Sequence, residues 1–304
     1  MVTQFGRVLR VIIGRSETRE GLLIDDLHMS FSVQRTRGSE PNKASVKIFN
    51  MKASTRQQIR DEFDRIHIEA GYKDHQDVIF AGNIRQLTHG REGPDNVSMI
   101  EAADGDRSLR TGFINRTFDV GMTPADKVKA IIADLDIGTG NLSGLDGASG
   151  LKRPESISEP VKSYFDNLAN TYDCRWSVQN ELIEFVSNDK PLSHTASVKS
   201  KDTGLIGIPE PQNDGSVQAK CLLDPALRPN GLVQIISGFT DTARGEADEK
   251  RSTDLGGGFY RITELEQSGS NYSEEWYSVF KGSKVEDGRV TRSGPALQYR
   301  SSSA

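Results

Sequence analysis

The side chains in this sequence that could do chemistry do not form a known catalytic pattern. A Gly-x-Ser-x-Gly elbow, a His-Glu-x-x-His pair and a P-loop are all missing from the 304 residues. The carboxylates of Asp25-Asp26, Asp61-Glu62 and Glu274-Glu275 would form a glycosidase pair only if both faced one substrate. Adjacent residues on a strand point to opposite faces, so the sequence does not favour such a pair. We predict a protein that is not an enzyme and has no catalytic residue.

Two loops carry weak signals for a cofactor or an ion. The run 138–144 has Gly-x-Gly-x-x-x-Gly spacing, but it follows a predicted helix and not a strand, so we expect a flexible connection instead of a dinucleotide site. Asp134 and Asp136 begin a run that resembles a calcium loop, yet Leu145 stands where a bidentate Glu is needed. We therefore predict no cofactor.

Four further residues carry side chains that bind metal ions in other proteins: His67, Asp74, His75 and Asp77. His67 alternates out of a predicted strand, whereas His75 lies in a polar turn. Solvated side chains are favoured at these positions, and no metal site is predicted.

The two cysteines, Cys174 and Cys221, stand 47 positions apart in strand-like runs. That spacing forms neither a disulfide framework nor a metal knuckle. We predict two buried, reduced thiols.

Composition limits the class of protein. Hydrophobic residues make up 35% of the chain, which favours small domains or interfaces shared with neighbours. The net charge of −5 argues against a protein that binds nucleic acid by neutralising phosphates, although it leaves room for a local basic patch. No apolar run approaches the ~20 residues that cross a bilayer, and no signal peptide is recognised. We expect no membrane segment and assembly in a cytoplasm.

Residues 1–113 are predicted to form a β domain. Apolar and polar residues alternate in six or seven short strands, which is typical of a sandwich or a small barrel. Turns are expected at Gly38, Gly71, Gly82 and Gly93-Pro94.

Three helices interrupt the β pattern. Ser54 and Gln57 stand at capping-box spacing, which predicts a short helix at one end of the first barrel. Thr123-Pro124 is an N-cap followed by proline, and apolar residues then recur at helical spacing as far as Leu135. A second amphipathic helix is predicted from about Glu159-Pro160.

A hairpin follows the last helix. Strand-like runs at 174–178 and 182–185 are predicted to turn at Gln179-Asn180. We interpret residues 114–197 as a small α/β domain.

Residues 198–282 are predicted to form a second β domain. Val217, Ala219, Cys221 and Leu223 alternate with mostly polar neighbours, which indicates a strand with one buried face.

Two pairs of turn-forming residues are predicted to end strands of this second domain: Asp224-Pro225 and Asn230-Gly231. A polar stretch at 240–258 is predicted to be a long hairpin loop or mobile, and the last two strands are expected to turn at Gly269-Ser270-Asn271. Residues 283–304 show no periodicity and are predicted to be a tail, ordered only by a neighbour.

Several runs together resemble the tube-like domains of tailed-phage baseplate hub proteins, which are related to the hubs of contractile injection systems. In the first domain the runs are Phe31-Ser32-Val33, 40–50, Ala70-Gly71-Tyr72, 79–84 and Ala103-Asp104-Gly105. In the second domain they are 204–209, 215–233, and the closing residues Gly258, Tyr260, Gly269 and Trp276. The helix, loop, helix and hairpin of 114–197 resemble the middle domain of the same family. Gln267 departs from the pattern, since histidine is common there.

The resemblance implies a mainly β fold in which two tube-like β-barrel or sandwich domains flank a small α/β domain. It implies a structural hub of a contractile tail, in which three chains form a ring of six similar domains that joins the tail tube to the central spike. The implied partners are two further copies, the tube, tape-measure, spike and baseplate wedge proteins, and DNA that passes through the bore without specific binding. The implied location is the virion tail.

Three alternatives remain open from sequence. The same fold would serve the hub of a phage-derived contractile particle or secretion needle. A tail-associated peptidoglycan hydrolase would have its site in residues 114–197. A carbohydrate-binding module would expose aromatic side chains in that same segment.

Overall fold

The computed structural model describes residues 6–16, 18, 20–135, 137–192, 195–212, 214–236, 257–285 and 291–292. Three sequence expectations lie wholly or mostly outside these residues: the polar stretch at 240–256, the tail at 286–290 and 293–304, and Asp136 of the calcium-like run. Within the described residues the protein is mainly β, as predicted. No helix there is long and apolar enough to cross a membrane.

Seven antiparallel strands and one helix form the first β region. In the sheet they lie in the order β3-β4-β7-β6-β5-β1-β2. Their bounds are β1 (Arg7–Gly14), β2 (Gly21–Ile24), β3 (Met29–Thr36), β4 (Lys43–Phe49), α1 (Ala53–Glu62), β5 (Arg65–Tyr72), β6 (His75–Glu92) and β7 (Asp95–Ala103).

Two details of this region differ from the sequence prediction. Gly71 and Gly82 lie inside strands and not in turns. A Cβ on Gly82 would lie 2.6 Å from the carbonyl oxygen of Ala103, so glycine is required here by close approach of the neighbouring strand. The capping box predicted at Ser54 is wrong as well, because α1 begins at Ala53 and its N-cap is Lys52, two residues before Ser54, with no side-chain cap.

The middle of the chain alternates short helices and strands. β8 pairs with β10, and β11, β12 and β9 form a second small sheet. The elements are α2 (Asp106–Thr111), β8 (Phe113–Phe118), α3 (Pro124–Ile132), β9 (Gly138–Thr139), a 3₁₀ turn (Ser143–Leu145), β10 (Glu155–Pro160), α4 (Val161–Thr171), β11 (Cys174–Gln179) and β12 (Leu182–Ser187).

The starts of both helices predicted in this segment are confirmed, whereas α3 ends at Ile132 and does not reach Leu135. Thr123 and Asp126 form a full capping box at the start of α3, and Pro124 follows as predicted. α4 begins directly after Pro160. The β8–β10 pair was not predicted, and the hairpin turns at Asn180-Glu181, one residue later than expected.

The Gly-rich run is not a flexible connection, so that prediction is wrong. Its backbone pairs with the hairpin, since Gly138 N–H donates to Glu181 O at 2.7 Å and Gly140 N–H donates to Ile183 O at 2.8 Å. A Cβ on Gly140 would lie 2.8 Å from Cγ of Glu184. Close packing against β12 explains glycine here.

The second β region contains seven strands and one 3₁₀ turn. They are β13 (Thr195–Ser200), the turn (Lys201–Thr203), β14 (Leu205–Pro211), β15 (Ser216–Leu222), β16 (Leu232–Ile236), β17 (Gly258–Ser270), β18 (Trp276–Lys284) and β19 (Thr291–Arg292). The predicted alternation on β15 is confirmed. The β17–β18 connection is 271–275, because Gly269 and Ser270 still belong to β17.

The two β regions share one sheet of 14 strands. β17 pairs along its second half with β3, from Glu264 opposite Thr36 to Ser270 opposite Ser30. The core of the first region includes Trp276, which is fully buried beside Phe31. The two β regions are therefore joined by main-chain hydrogen bonds and by side-chain packing.

Candidate functional site

A cluster of seven polar residues lies where the β11–β12 hairpin meets both β regions; five are buried, Glu181 is partly buried and Arg228 is exposed. We call this cluster the junction. It consists of Arg35, Asn42, Asp104, Gln179, Glu181, Glu184 and Arg228.

Asn42 binds the end of strand β11. Its Nδ2 donates to the carbonyl oxygen of Val178 at 2.6 Å, and its Oδ1 accepts from the backbone N–H of Thr36 at 2.9 Å. Gln179 Nε2 donates back to the carbonyl oxygen of Thr36 at 2.7 Å. Asn42 and Gln179 are both buried, so each amide satisfies backbone groups that would otherwise lack partners.

Asp104 and Gly105 receive the hairpin turn. Asp104 is fully buried, and its Oδ1 accepts from the backbone N–H of Glu181 at 2.7 Å. Burial raises the pKa of this carboxyl to about 7, against the lowering effect of nearby backbone amides. Gly105 has φ +64°, and a Cβ there would lie 2.9 Å from Cγ1 of Val178. The Asp-Gly pair thus lets the hairpin approach and then binds it.

Glu181 is the strained residue of the turn. Its φ is +62° and that of Asn180 is +53°, a conformation that suits Asn far better than Glu. The side chain of Glu181 accepts from Nη1 of Arg65 at 2.8 Å. Contacts from Asp104 and Arg65 therefore hold the turn in place.

The opposite side of the hairpin contacts the second β region. Arg228 Nη2 donates to Oε1 of Glu184 at 2.6 Å. Burial raises the pKa of Glu184, and the charge of Arg228 opposes that rise. Arg261 Nη1 donates to the carbonyl oxygen of Ser187, the last residue of β12, at 3.2 Å. One hairpin therefore connects to both β regions.

Arg35 connects the two β regions directly. It lies on the buried face of β3, where its Nη2 donates to Leu227 O at 2.8 Å and to Gln267 Oε1 at 3.0 Å. Burial lowers the pKa of Arg35 to about 10, and the charge of Asp104 opposes that shift. Gln267 Nε2 donates to Asp224 O at 2.9 Å. The amide at 267 thus accepts and donates at once, which explains how glutamine fits this position.

A buried ion pair of the second β region lies close to the first β region. Lys199 Nζ is 2.5 Å from Oδ2 of Asp224, and both side chains are largely buried. His75 from the first region lies 3.5 Å from the other carboxylate oxygen.

The residues with possible chemistry do not converge. His67 Nε2 is 4.0 Å from Glu181, so it lies at a different place from His75, and Asp74 and Asp77 are exposed. No group of three or more potential metal ligands occurs among the described residues.

The remaining candidates are solvent-facing or inert. All six carboxylates of the adjacent pairs at 25–26, 61–62 and 274–275 are exposed. Cys174 and Cys221 are free and buried, as predicted, and burial raises the pKa of their thiols to about 11 and 12.

Sequence reasoning missed the junction as a unit. Asn42, Asp104 and Gly105 were noted only as parts of a family-like pattern. A signal for Arg35 was present, because it falls on the same side of β3 as Met29, Phe31 and Val33. A charged residue on a buried face needs a specific partner. The junction has the properties of a rigid connection and not of a catalytic centre.

Gly105→Ala is expected to lower the free energy of unfolding by about 2–4 kcal/mol. A positive φ costs an alanine about 1 kcal/mol, and the contact with Val178 adds about 1–3 kcal/mol. Gly93→Ala is the matched control, because its φ is +62° and no atom lies within 4 Å of the added Cβ. Urea unfolding of both variants measures the difference. Equal losses would show that the contact with the hairpin contributes nothing.

The fold is similar to those of solved tail proteins. No family model matches the sequence, and no curated protein matches it in sequence. Among solved structures, the 43 kDa tail protein of prophage MuSo2 from Shewanella oneidensis matches with a TM-score of 0.59 at 9% identity, over 92% of this chain and 98% of that one. A tail protein from Neisseria meningitidis MC58 matches with a TM-score of 0.57 at 8% identity, over 91% and 96%.

A secretion-system protein shares the same fold. The E. coli c3393 protein, a component of the type VI secretion system with structural similarity to T4 tail proteins gp27 and gp5, matches with a TM-score of 0.52 at 11% identity, over 86% of this chain and 74% of that one. The tail-hub-like fold predicted from the sequence is thereby confirmed.

Proposed function

We propose that this chain is a structural component of a phage-type tail, the baseplate hub at the end of the tail tube. The observation that carries the proposal is the β3–β17 ladder, which joins two β regions of one chain into a single sheet. The shared fold with tail proteins supports the same role. A hub of this kind needs rigid domains and no catalysis, and the junction supplies that rigidity.

Three copies would form the hub ring, with six β regions facing a hexameric tube. Within the described residues, β2 and β14 each pair with one strand only and end the path of the 14-stranded sheet. Exposed strand edges are normally covered or blocked. Neighbouring copies, the tube, tape-measure and spike proteins, and the baseplate wedge are the proposed partners, and the tail of the virion is the proposed location.

The oligomeric state tests this proposal. We expect the purified chain, alone or with its partners, to form closed threefold rings, visible in negative stain and with three times the mass of one chain in light scattering. A protein that stays monomeric both in the particle and in a reconstituted hub would contradict the proposal.

The proposed ring conducts DNA and should not bind it. Carboxylates on the inner wall repel phosphate at short range, and salt screens the repulsion beyond about 8–10 Å. We therefore propose an acidic or neutral inner wall, with Lys and Arg at contacts with the tube and wedge proteins. A ring structure with a continuous basic lumen would contradict this part.

The hydrolase alternative has little support from the geometry. A glycosidase acid needs a raised pKa and access to substrate. Among the described carboxylates a raised pKa occurs at Asp104 and Glu184; Asp104 is buried beneath the hairpin and Glu184 is a buried residue of the hairpin itself. A zymogram of the purified protein on peptidoglycan is expected to stay blank, and a clear band would favour the hydrolase.

The carbohydrate-binding alternative predicts exposed aromatic side chains in 114–197. In the described part of that segment the aromatic rings are buried or partly buried. Phe113, one residue before it, is 61% exposed. The secretion-needle alternative is favoured by one observation, the shared fold with the E. coli type VI secretion protein. Imaging of the native particle distinguishes a phage tail from a secretion needle.

A further inference from the structure

A cleft of about 630 Å³ opens where the end of β3, the starts of β11 and β15 and the end of β18 surround the middle of β17. Four basic side chains and two acidic ones line it: Arg37, Arg175, Lys281, Lys284, Asp214 and Glu264. The chain as a whole is acidic, with a net charge of −5, so this excess of positive charge is local.

One of the basic side chains is already neutralised. Lys281 Nζ lies 3.0 Å from Oδ2 of Asp214. Arg37, Arg175 and Lys284 have no hydrogen-bonded or ionic side-chain partner among the described residues. Among the described residues that line the cleft, Glu264 is the one carboxylate left to balance these three cations.

Arg37 is a partly buried cation of the cleft. Its backbone N–H donates to Thr263 O at 3.1 Å, which fixes its position at the end of β3. Burial and the nearby charges of Arg261 and Arg175 lower the pKa of Arg37 to about 10. Partly burying one guanidinium beside two others is unfavourable unless an anion neutralises them.

We propose that this cleft binds carboxylates of an acidic segment on a partner protein. Guanidinium groups present two parallel N–H donors that match a carboxylate, and bidentate pairs of this kind are stronger than neutral hydrogen bonds. Arg37 and Arg175 supply two such guanidinium groups in one cleft. Ser216, also in the lining, already donates its hydroxyl and its backbone N–H to Oδ1 of Asp214, so the guanidinium groups are the donors left for a ligand.

The geometry favours an acidic peptide over nucleic acid. Binding along a nucleic-acid backbone needs cations spread in a row, because affinity comes from neutralising successive phosphates. Here the cations are gathered in one cleft, and the carboxylates of Asp214 and Glu264 lie at the same site. The inference does not depend on the hub role, since it follows from the cleft alone.

Binding of a fluorescein-labelled octaglutamate peptide to the full chain tests the proposal. Fluorescence anisotropy should show binding that weakens as salt rises. Arg37→Gln with Arg175→Gln should weaken it at least tenfold, and Arg37→Lys with Arg175→Lys should have an intermediate effect because charge remains but the fork is lost. Arg10→Gln with Arg15→Gln is the matched control, since both arginines form exposed surface pairs outside the cleft.

Folding is checked on the same variants. Removing repulsion between Arg37, Arg175 and Arg261 should leave the melting temperature of the double Gln variant equal to that of the wild type or higher. The proposal is overturned if wild type does not bind the peptide, or if the double Gln variant is folded and binds equally well. It is also overturned if a single-stranded oligonucleotide of equal charge binds more tightly and loses affinity with the same substitutions.

Discussion

Asp224→Ala is expected to lower the free energy of unfolding by about 3–5 kcal/mol, the largest effect of any single change considered for this chain. The Lys199 side chain is 5% exposed, and its Nζ lies 2.5 Å from the Asp224 carboxylate, which is 13% exposed. Removing the carboxylate leaves a buried ammonium without its partner. It also removes the acceptor for the backbone N–H of Ala226, at 2.9 Å. Chemical denaturation at pH 7 measures the loss.

Two comparisons isolate the buried pair. Lys47 and Glu92 form an ion pair at 3.1 Å with both side chains about half exposed, so Glu92→Ala should cost at most about 1 kcal/mol. Lys199→Met combined with Asp224→Leu should cost less than Asp224→Ala alone, because no unpaired charge is left inside. If Asp224→Ala lowers the free energy of unfolding no more than Glu92→Ala does, the buried Lys199–Asp224 pair contributes no more to stability than an exposed pair.

The pair also gives an acid dependence with a defined sign. Burial acts to raise the pKa of Asp224, but the charge and hydrogen bond of Lys199 outweigh it and lower the pKa overall. A carboxyl whose pKa is lower in the folded state stabilises the protein above the unfolded value, about 3.9. This contribution is lost as pH falls below about 4.

Local patterns predicted much of this fold because they depend on neighbouring residues only. The alternation on β3 and β15 follows the period of a strand, and the cap at Thr123 with Pro124 follows local backbone chemistry. Such signals need no knowledge of the rest of the chain, and the structure confirms them.

Long-range contacts account for what could not be predicted. The sequence predicts a hairpin turn at Gln179-Asn180, and nothing local favours Glu181 in the turn, since Glu rarely adopts positive φ. Glu181 adopts that conformation because Asp104, 77 positions earlier, accepts its backbone N–H. The β3–β17 ladder likewise joins residues more than 200 positions apart, and no local pattern specifies such a pairing.

The chemistry of the junction has the same origin. Asp104 is followed by glycine, so the sequence alone suggests an ordinary turn. Its burial results from the docked hairpin, and burial is what changes its chemistry. Glu181, whose N–H binds Asp104, lies 77 positions away, so no local sequence pattern predicts the burial of Asp104 or its raised pKa.

Relative to the wild type, Asp104→Asn is expected to be more stabilising at pH 8 than at pH 5, by about 2–3 kcal/mol. Burial raises the pKa of Asp104 to about 7, whereas the unfolded value is about 3.9. Between these values the folded protein holds one proton more than the unfolded chain. Its free energy of unfolding therefore falls by about 1.4 kcal/mol per pH unit from this group as pH rises, and the fall ends above pH 7.

The charges around Asp104 set the size of this effect. The charge of Glu181 raises its pKa further, and the neighbouring backbone amides oppose the rise. The charge of Asp104 in turn acts on Arg35 of β3, whose pKa it raises against the effect of burial. Oδ2 of Asp104 has no hydrogen-bond partner among the described residues, so a negative charge there would be poorly solvated. Asparagine keeps an oxygen that accepts from Glu181 N–H and carries no charge at any pH.

Unfolding curves at pH 5 and pH 8 for wild type, Asp104→Asn and Asp26→Asn separate the buried group from general charge effects. Asp26 is exposed, so its substitution should change stability by the same small amount at both pH values. If Asp104→Asn also shifts stability equally at pH 5 and pH 8, the carboxyl is already ionised when the hairpin is docked. The junction would then have to stabilise a buried carboxylate, and Arg35 would be the residue to substitute next, since its loss should make Asp104→Asn stabilising at pH 8.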